Sequence, residues 1–366
     1  MNGINDGRSW TGHYLRIMTD SIRLTQFSKG GGCGCKIAPS VLQQILQTEN
    51  KTAFENLIVG NESADDAAAY RIEGDQAIIS TTDFFLPIVD DAFDFGRIAA
   101  ANSISDVYAM GGTPLMAIAI LGWPVEKLPV EQAQRMLEGG RAVCAEAGIP
   151  LAGGHTIDSS DPIFGLAVTG MAPLAQLKKN NTAQVGDQLF LTKRLGVGVL
   201  STALKRGLLA DEHYAPLLAQ LTQLNKIGAA LGKIEGVHAM TDVTGFGLLG
   251  HLLEMASGSG LGAALNYTSL QKSEGLEEYL KQRTIPDATF RNWNAYSKDV
   301  QFEKGVNVME AFNLLPDPQT NGGLLIAVAP TAVAEVQTLL KAEGYEDFLE
   351  PIGAITEKGE KTIVVK

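Results

Sequence analysis

Two thiols and a lysine share the stretch Gly30-Gly31-Gly32-Cys33-Gly34-Cys35-Lys36, which runs on to Pro39. A thiolate is the reactive form of cysteine, and a neighbouring ammonium group favours it. Four glycines in five positions disfavour helix or strand interior, because glycine loses the most backbone entropy on ordering. The stretch reads as a mobile loop that carries Cys33, Cys35 and Lys36. A flexible linker with incidental cysteines is the alternative, although linkers favour serine. The remaining cysteine, Cys144, lies on a helix of apolar pattern and reads as core. Three cysteines are too few and too oddly counted for a disulfide framework, and the Cys33–Cys35 gap suits zinc poorly. A reducing, cytoplasmic setting follows.

The acids carry the second half of the chemistry. Asp65 and Asp66 close a polar turn that begins at Asn61, and Asp83 stands near the end of a strand-like run, Gln76 to Phe85. Asp106 falls inside an alanine-rich helix, and Asp242 lies between threonines ahead of a glycine-rich helix start. Asn102 and Asp106 are four apart and share a helix face, which Ile98, Ala99 and Val107 mark as packed. A buried carboxylate is costly unless a cation or metal pairs with it. Each acid taken alone also suits a cap or a solvated turn. Together, in an acidic chain, they make a metal cluster plausible, but spacing cannot show convergence.

Glycine-rich turns come next. Gly153-Gly154-His155-Thr156 follows an apolar segment, and His155 suits a general base, a phosphate contact or a hydrogen-bonded turn. Gly245-Phe246-Gly247-Leu248-Leu249-Gly250 fits the dinucleotide pattern. Its preceding run, Val237 to Met240, makes a poor buried strand, and no acid follows about twenty residues on, so a nicotinamide site is disfavoured. Backbone amides at that helix start remain able to hold a phosphate. No P-loop is present. Asp317-Pro318-Gln319-Thr320-Asn321-Gly322-Gly323 reads as a structured turn able to line a site.

These residues need elements to position them. At 366 residues two domains are the natural division. Strands are expected at Leu57–Gly60, Gln76–Phe85, Leu115–Leu121 (buried on both faces), Ile163–Ala172, Gln188–Thr192, Gly262–Tyr267, Gly322–Val328 and Thr362–Val365. Helices are expected at Val41–Leu46, Phe95–Met110, Leu128–Ala147, Gly198–Arg206, Ala215–Leu231 and Thr331–Ala342, with one more ending near Met255. The mixture lacks a strict βαβ rhythm, which suggests α+β or an irregular layered fold. A polar stretch near Lys178-Lys179-Asn180-Asn181 marks the boundary. The division is 1–48 (mobile segment with the thiol loop), 49–173 (N-terminal domain) and 174–366 (C-terminal domain). A net charge of -12 argues against nucleic acid as the main partner. No export signal or bilayer-length apolar run is evident, so no membrane partner is expected.

Taken together the motifs resemble the selenophosphate synthetases, from about Ser21 to the C-terminus. They are Gly32 to Lys36, Val59-Gly60-Asn61-Glu62 to Ala68, Ser80 to Phe85, Asn102 with Ser105 to Gly112, Ala152 to His155, Thr241 to Gly247, and Asp317 to Thr320 with Gly322-Gly323. Several are shared with the wider aminoimidazole-ribotide-synthetase-like ATP enzymes; the thiol loop points to the selenium member. The resemblance implies an α+β, two-domain aminoimidazole-ribotide-synthetase-like fold. Its N-terminal α/β domain pairs its sheet in a homodimer, and an α+β C-terminal domain follows. It implies conversion of ATP, selenide and water to selenophosphate, AMP and orthophosphate, with Mg²⁺ and a monovalent cation such as K⁺. It leaves room for a selenium-delivery protein. By family matching, Cys33 is the catalytic thiol and Lys36 the essential cation, while Asp66, Asp106 and Asp242 hold Mg²⁺. Lys36, Ser63, Ala64, Asp65, Asp83, Asp106, Gly154, His155 and Thr156 face the nucleotide.

Overall fold

The first sheet runs β1 (Leu57–Val59), β2 (Ala68–Ile72), β3 (Gln76–Phe85), β4 (Thr113–Trp123), β5 (Leu151–Asp158) and β6 (Ile163–Pro173), in the spatial order β1-β2-β3-β6-β4-β5. Its pairs are antiparallel except β4 with β5. The second sheet holds β7 (Gln188–Leu191), β8 (Val237–Asp242), β9 (Gly262–Leu265), β10 (Val300–Phe302), β11 (Leu324–Val328), β12 (Gly353–Thr356) and β13 (Ile363–Val365), ordered β10-β13-β9-β12-β7-β11-β8. This is a computed structural model, and it describes residues 22–27, 31–37, 39–46, 53–60 and 65–366. Of the expected mobile segment 1–48, residues 1–21, 28–30, 38 and 47–48 lie outside that set.

Two helices, Ala92–Ala109 and Val130–Glu146, cover one face of the first sheet. The first starts at Asp91, whose side chain accepts from the Asp94 amide at 2.9 Å, and it is buried on nearly every side. The helices touch through glycine: a Cβ on Gly96 would meet Met136 O at 1.8 Å, and one on Gly139 would meet Phe93 O at 1.9 Å. The Ala92–Ala109 helix also packs on β8, so one apolar core runs from Leu24 to Val365 through both layers.

The other face of the first sheet is open. Tyr70, Ile78, Phe84, Met116, Ile118 and Ile157 are exposed on it. This corrects the expectation for Leu115–Leu121: Ala117 and Ala119 face the core, but Leu115, Met116 and Ile118 do not. An apolar run cannot say whether its second face meets its own chain. The second sheet differs, since β11 is buried throughout between two layers of helices.

Three further expectations change. Val237–Asp242 is a well-buried strand, paired with β11, despite its weak pattern. The helix expected at Ala215–Leu231 breaks at Gln223–Lys226 into Asp211–Thr222 and Ile227–Leu231. Asn225 turns inward at the break and donates to Ser105 Oγ (2.8 Å) and Gly322 O (2.9 Å). Gly153 to Thr156 form part of strand β5 rather than a turn.

Candidate functional site

The seam between the sheets gathers acids from three elements. Asp66, just before β2, accepts a hydrogen bond from Thr241 Oγ1 on β8 at 2.7 Å. Asp242 is the last residue of β8. Asp106, on the Ala92–Ala109 helix, accepts from Thr81 Oγ1 of β3 at 2.5 Å, and the same hydroxyl lies 3.4 Å from Asp66 O. Asp65 accepts from the Asn180 amide at 2.9 Å.

Burial raises the proton affinity of all three cluster acids. Asp66 is held well above the usual carboxylate range by loss of water, then by the charges of Asp242, Asp106 and Asp65. Asp106 is raised by burial, then by Asp83 and Asp242. Asp242 is raised by burial, with a Ser105 hydrogen bond pulling the other way. Oδ2 of Asp66 and of Asp242 are buried with no hydrogen-bond partner among the described residues. Buried carboxylate oxygens without donors are what a hard divalent cation would satisfy. Among the described residues, no three His, Cys, Asp or Glu side chains converge closely enough to make a metal site alone. The remaining ligands would have to be phosphate oxygens and water, the usual manner in which Mg²⁺ is held.

Asp83 anchors a second network on the covered face of the sheet. Asn102 Nδ2 donates to its Oδ2 at 2.7 Å, and the Asn321 amide donates to Asn102 Oδ1 at 2.7 Å. Behind Asn321 stands Lys193, whose Nζ donates to Asn321 O (2.9 Å) and Gln223 O (2.8 Å). Burial pushes Lys193 down to about 7, and the negative charge of Asp242 opposes that.

Cys33 and Cys35 lie on a 3-10 turn, Gly32–Cys35. Gly32, at φ 55°, donates its amide to Leu86 O at 3.0 Å, and a Cβ there would meet Thr320 Oγ1 at 2.4 Å. Gly34 O accepts from Arg291 Nη2 at 2.9 Å. Lys36 follows the turn: its Nζ is 5.6 Å from the Phe246 ring centroid, and its charge steadies both Asp106 and Asp242.

Not every expected residue joins this group. Ser63 and Ala64 lie outside the described residues. Gly154, His155 and Thr156 sit on β5, level with Asp83 through Leu166 and Ala119 but three strands away, about 14 Å by strand spacing. His155 pairs with Ile120 and stands on the open face, opposite Asp83. Cys144 is buried and its thiol is pushed up to about 11 by burial, which fits a core role. Two glycines of the 245–250 pattern serve packing: a Cβ on Gly247, at φ 71°, would lie 2.6 Å from Pro316 C, and one on Gly250 2.6 Å from Phe246 Cβ.

Sequence reasoning missed Lys193, Asn225 and Arg291. A lysine two residues after the apolar strand Gln188–Leu191 was the one available signal for Lys193, while Asn225 and Arg291 sit in polar sequence with none.

Comparison with known proteins adds a lineage. Residues 64–172 match the model of the AIR synthase related protein, N-terminal domain, and residues 184–366 match its C-terminal domain. A selenide, water dikinase of Photorhabdus laumondii is 51% identical over 350 residues, covering 95% of this chain and 99% of its own. One from Yersinia pseudotuberculosis is 53% identical over 351 residues, covering 96% and 99%. Among solved structures, a thiamine-monophosphate kinase from Stenotrophomonas maltophilia superposes with a TM-score of 0.62 at 20% identity, covering 91% of this chain and 96% of its own. AaThiL, complexed with AMPPCP and TMP, gives 0.61 at 18% identity over 89% and 91%. At such identities the structures speak to the fold.

Proposed function

This chain belongs to the selenide, water dikinase family of AIR synthase related proteins, and from that premise we propose how its residues divide the reaction. The enzyme is an ATP-dependent phosphotransferase that makes selenophosphate, AMP and orthophosphate from ATP, selenide and water. Asp66, Asp106 and Asp242 are the residues that would hold Mg²⁺ together with the phosphates. Bound Mg²⁺ would neutralise charge on the phosphoryl oxygens as an in-line displacement proceeds. Asp65 and Asp83 orient the nucleotide, Asp83 through the Asn102–Asn321 brace. Lys36 brings a point charge to the same acids from the thiol turn, and Cys33 is the proposed catalytic thiol. Closure of that turn would keep water from the transferring phosphoryl group. K⁺ is proposed as an electrostatic partner of ATP, with no residue assigned to it.

A homodimer suits the open face of the first sheet. Large apolar patches mark interaction sites, and two such faces would cover each other. Within one chain Gly154, His155 and Thr156 stay far from Asp83, so their nucleotide role would be played toward the partner's site. No helix among the described residues is long and apolar enough to cross a membrane, and we place the enzyme in the cytoplasm.

The observation that carries this reading is the pair of donorless, buried Asp66 and Asp242 oxygens facing one cluster with Lys36 beside it. The test is AMP release from ATP, measured with and without selenide and Mg²⁺. Release should need both and should vanish in Cys33→Ser. Turnover of ATP to ADP alone, indifferent to selenide, would overturn the assignment.

A further inference from the structure

The turn that carries the thiols has two sides. Lys36 looks toward the acids. Gly31 and Gly34 instead form part of the wall of a separate cavity of about 440 Å³. Its floor is apolar, from Ile88, Val197, Ala288 and Pro318, and Lys205, Arg206 and Arg291 also line it, against the single carboxylate of Asp287. Arg206 Nη1 donates to Arg283 O at 3.0 Å and Arg291 Nη2 to Gly34 O at 2.9 Å, so these hydrogen bonds leave both charges unneutralised. Arg206 and Arg291 against Asp287 form a local excess of positive charge in a chain of net charge -12.

We propose that this cavity binds the anionic selenium substrate, so that selenide reaches the thiol turn from the side opposite the nucleotide. The inference rests on the reading of the chain as a selenide-consuming enzyme. Two anions must meet at one phosphoryl group. The acid side already presents Asp66, Asp106 and Asp242 and would also hold the triphosphate, and like charges there repel a second anion. The cavity offers the reverse field, and a charged cleft of one sign concentrates the opposite ion. Its apolar floor suits a large, polarisable atom that sheds water readily, and the volume leaves room for the ion with part of its hydration.

Two measurements test this on the full-length protein. Equilibrium binding of radiolabelled selenide under anaerobic conditions, with no ATP present, reads the site apart from turnover. Wild type should bind, and Lys205→Ala/Arg206→Ala should weaken binding roughly tenfold. In steady-state assays the same double variant should raise KM for selenide by a similar factor while KM for ATP stays put. The fall of kcat/KM for selenide with added salt should flatten, and Arg206→Lys should restore the wild-type salt response. Unchanged selenide binding in the double variant would overturn the proposal, as would a parallel rise in KM for ATP. A wild type that binds selenide yet forms no AMP would instead overturn the proposed reaction and leave the cavity assignment standing.

Discussion

The acid cluster and the thiol turn face one another, yet opposite means hold them. Asp66, Asp106 and Asp242 are fixed by β8 and the Ala92–Ala109 helix, shut from water, and raised in proton affinity by burial and by one another. Among the described residues the turn is tied by the Gly32 amide to Leu86 O and by Arg291 Nη2 to Gly34 O, and its lysine is exposed. Rigid buried charge destabilises the protein, and the cation proposed for Asp66, Asp106 and Asp242 would offset that cost on binding. The exposed lysine of the turn adds little to that cost. On the proposed assignment the cluster would trade stability for function, and the turn would not.

Asp242→Asn should show the largest effect. Loss of one phosphate-side charge should cut AMP formation by about 10³-fold. The empty protein should become more stable, by about 1 kcal/mol, because a buried like charge is gone. Rate and melting temperature, taken together, decide it. A variant both slower and less stable would break the contrast. Mg²⁺ with a non-hydrolysable ATP analogue should raise the wild-type melting point and leave that of the variant nearly unmoved.

Lys36→Ala should lose roughly 10²-fold in rate. Its melting point should hardly change, since an exposed side chain with a ring contact contributes under about 0.5 kcal/mol. Asn102→Ala lies between the two regions. It leaves the Asn321 amide and an Asp83 oxygen without their partner, which should cost about 1–3 kcal/mol in stability. KM for ATP should rise about tenfold if Asp83 orients the nucleotide. A stability loss with unchanged KM would confine the brace to folding.

The acids were legible one by one from local patterns, and their grouping only through the family resemblance. Asp83, Asp106 and Asp242 could be placed from strand and helix patterns, and the shared helix face of Asn102 and Asp106 followed from their spacing. Convergence was not legible, because it depends on how β8 packs against the Ala92–Ala109 helix, a contact between distant parts of the chain. Strand β8 itself looked weak because His238 and Thr241 interrupt its apolar run. In the structure Thr241 spends its hydroxyl on Asp66, and His238 Nδ1 meets Asp187 at 2.9 Å. The open face of the first sheet escaped for a related reason: an apolar strand reads alike whether its own helices or a second molecule cover it. His155 was set in a turn because glycine pairs usually mark turns, yet Gly154 here pairs closely with Ala119 at a sheet edge.

Asp317 sharpens the contrast from outside the cluster, with the smallest expected effect. It is as buried as Asp242, but its Oδ2 accepts from the Gly198 amide (3.0 Å) and from Gln319 Nε2 (2.9 Å). Burial nonetheless pushes it up to about 8 from an ordinary 3.8, with those hydrogen bonds pulling the other way. Between those values the folded protein holds a proton that the unfolded chain has released. The stability this confers is complete below the unfolded value, falls as pH rises toward about 8, and is flat above it. Asp317→Asn removes the titrating group while keeping one acceptor for the Gly198 amide. Its melting temperature should therefore fall less steeply than that of wild type between about pH 5 and pH 8, and the two curves should run parallel above that range. Identical slopes would mean that the start of the Val197–Lys205 helix holds Asp317 charged throughout. In that case donors to Oδ2 alone keep a buried carboxylate ionised, even though its Oδ1, like Oδ2 of Asp66 and of Asp242, has no hydrogen-bond partner among the described residues.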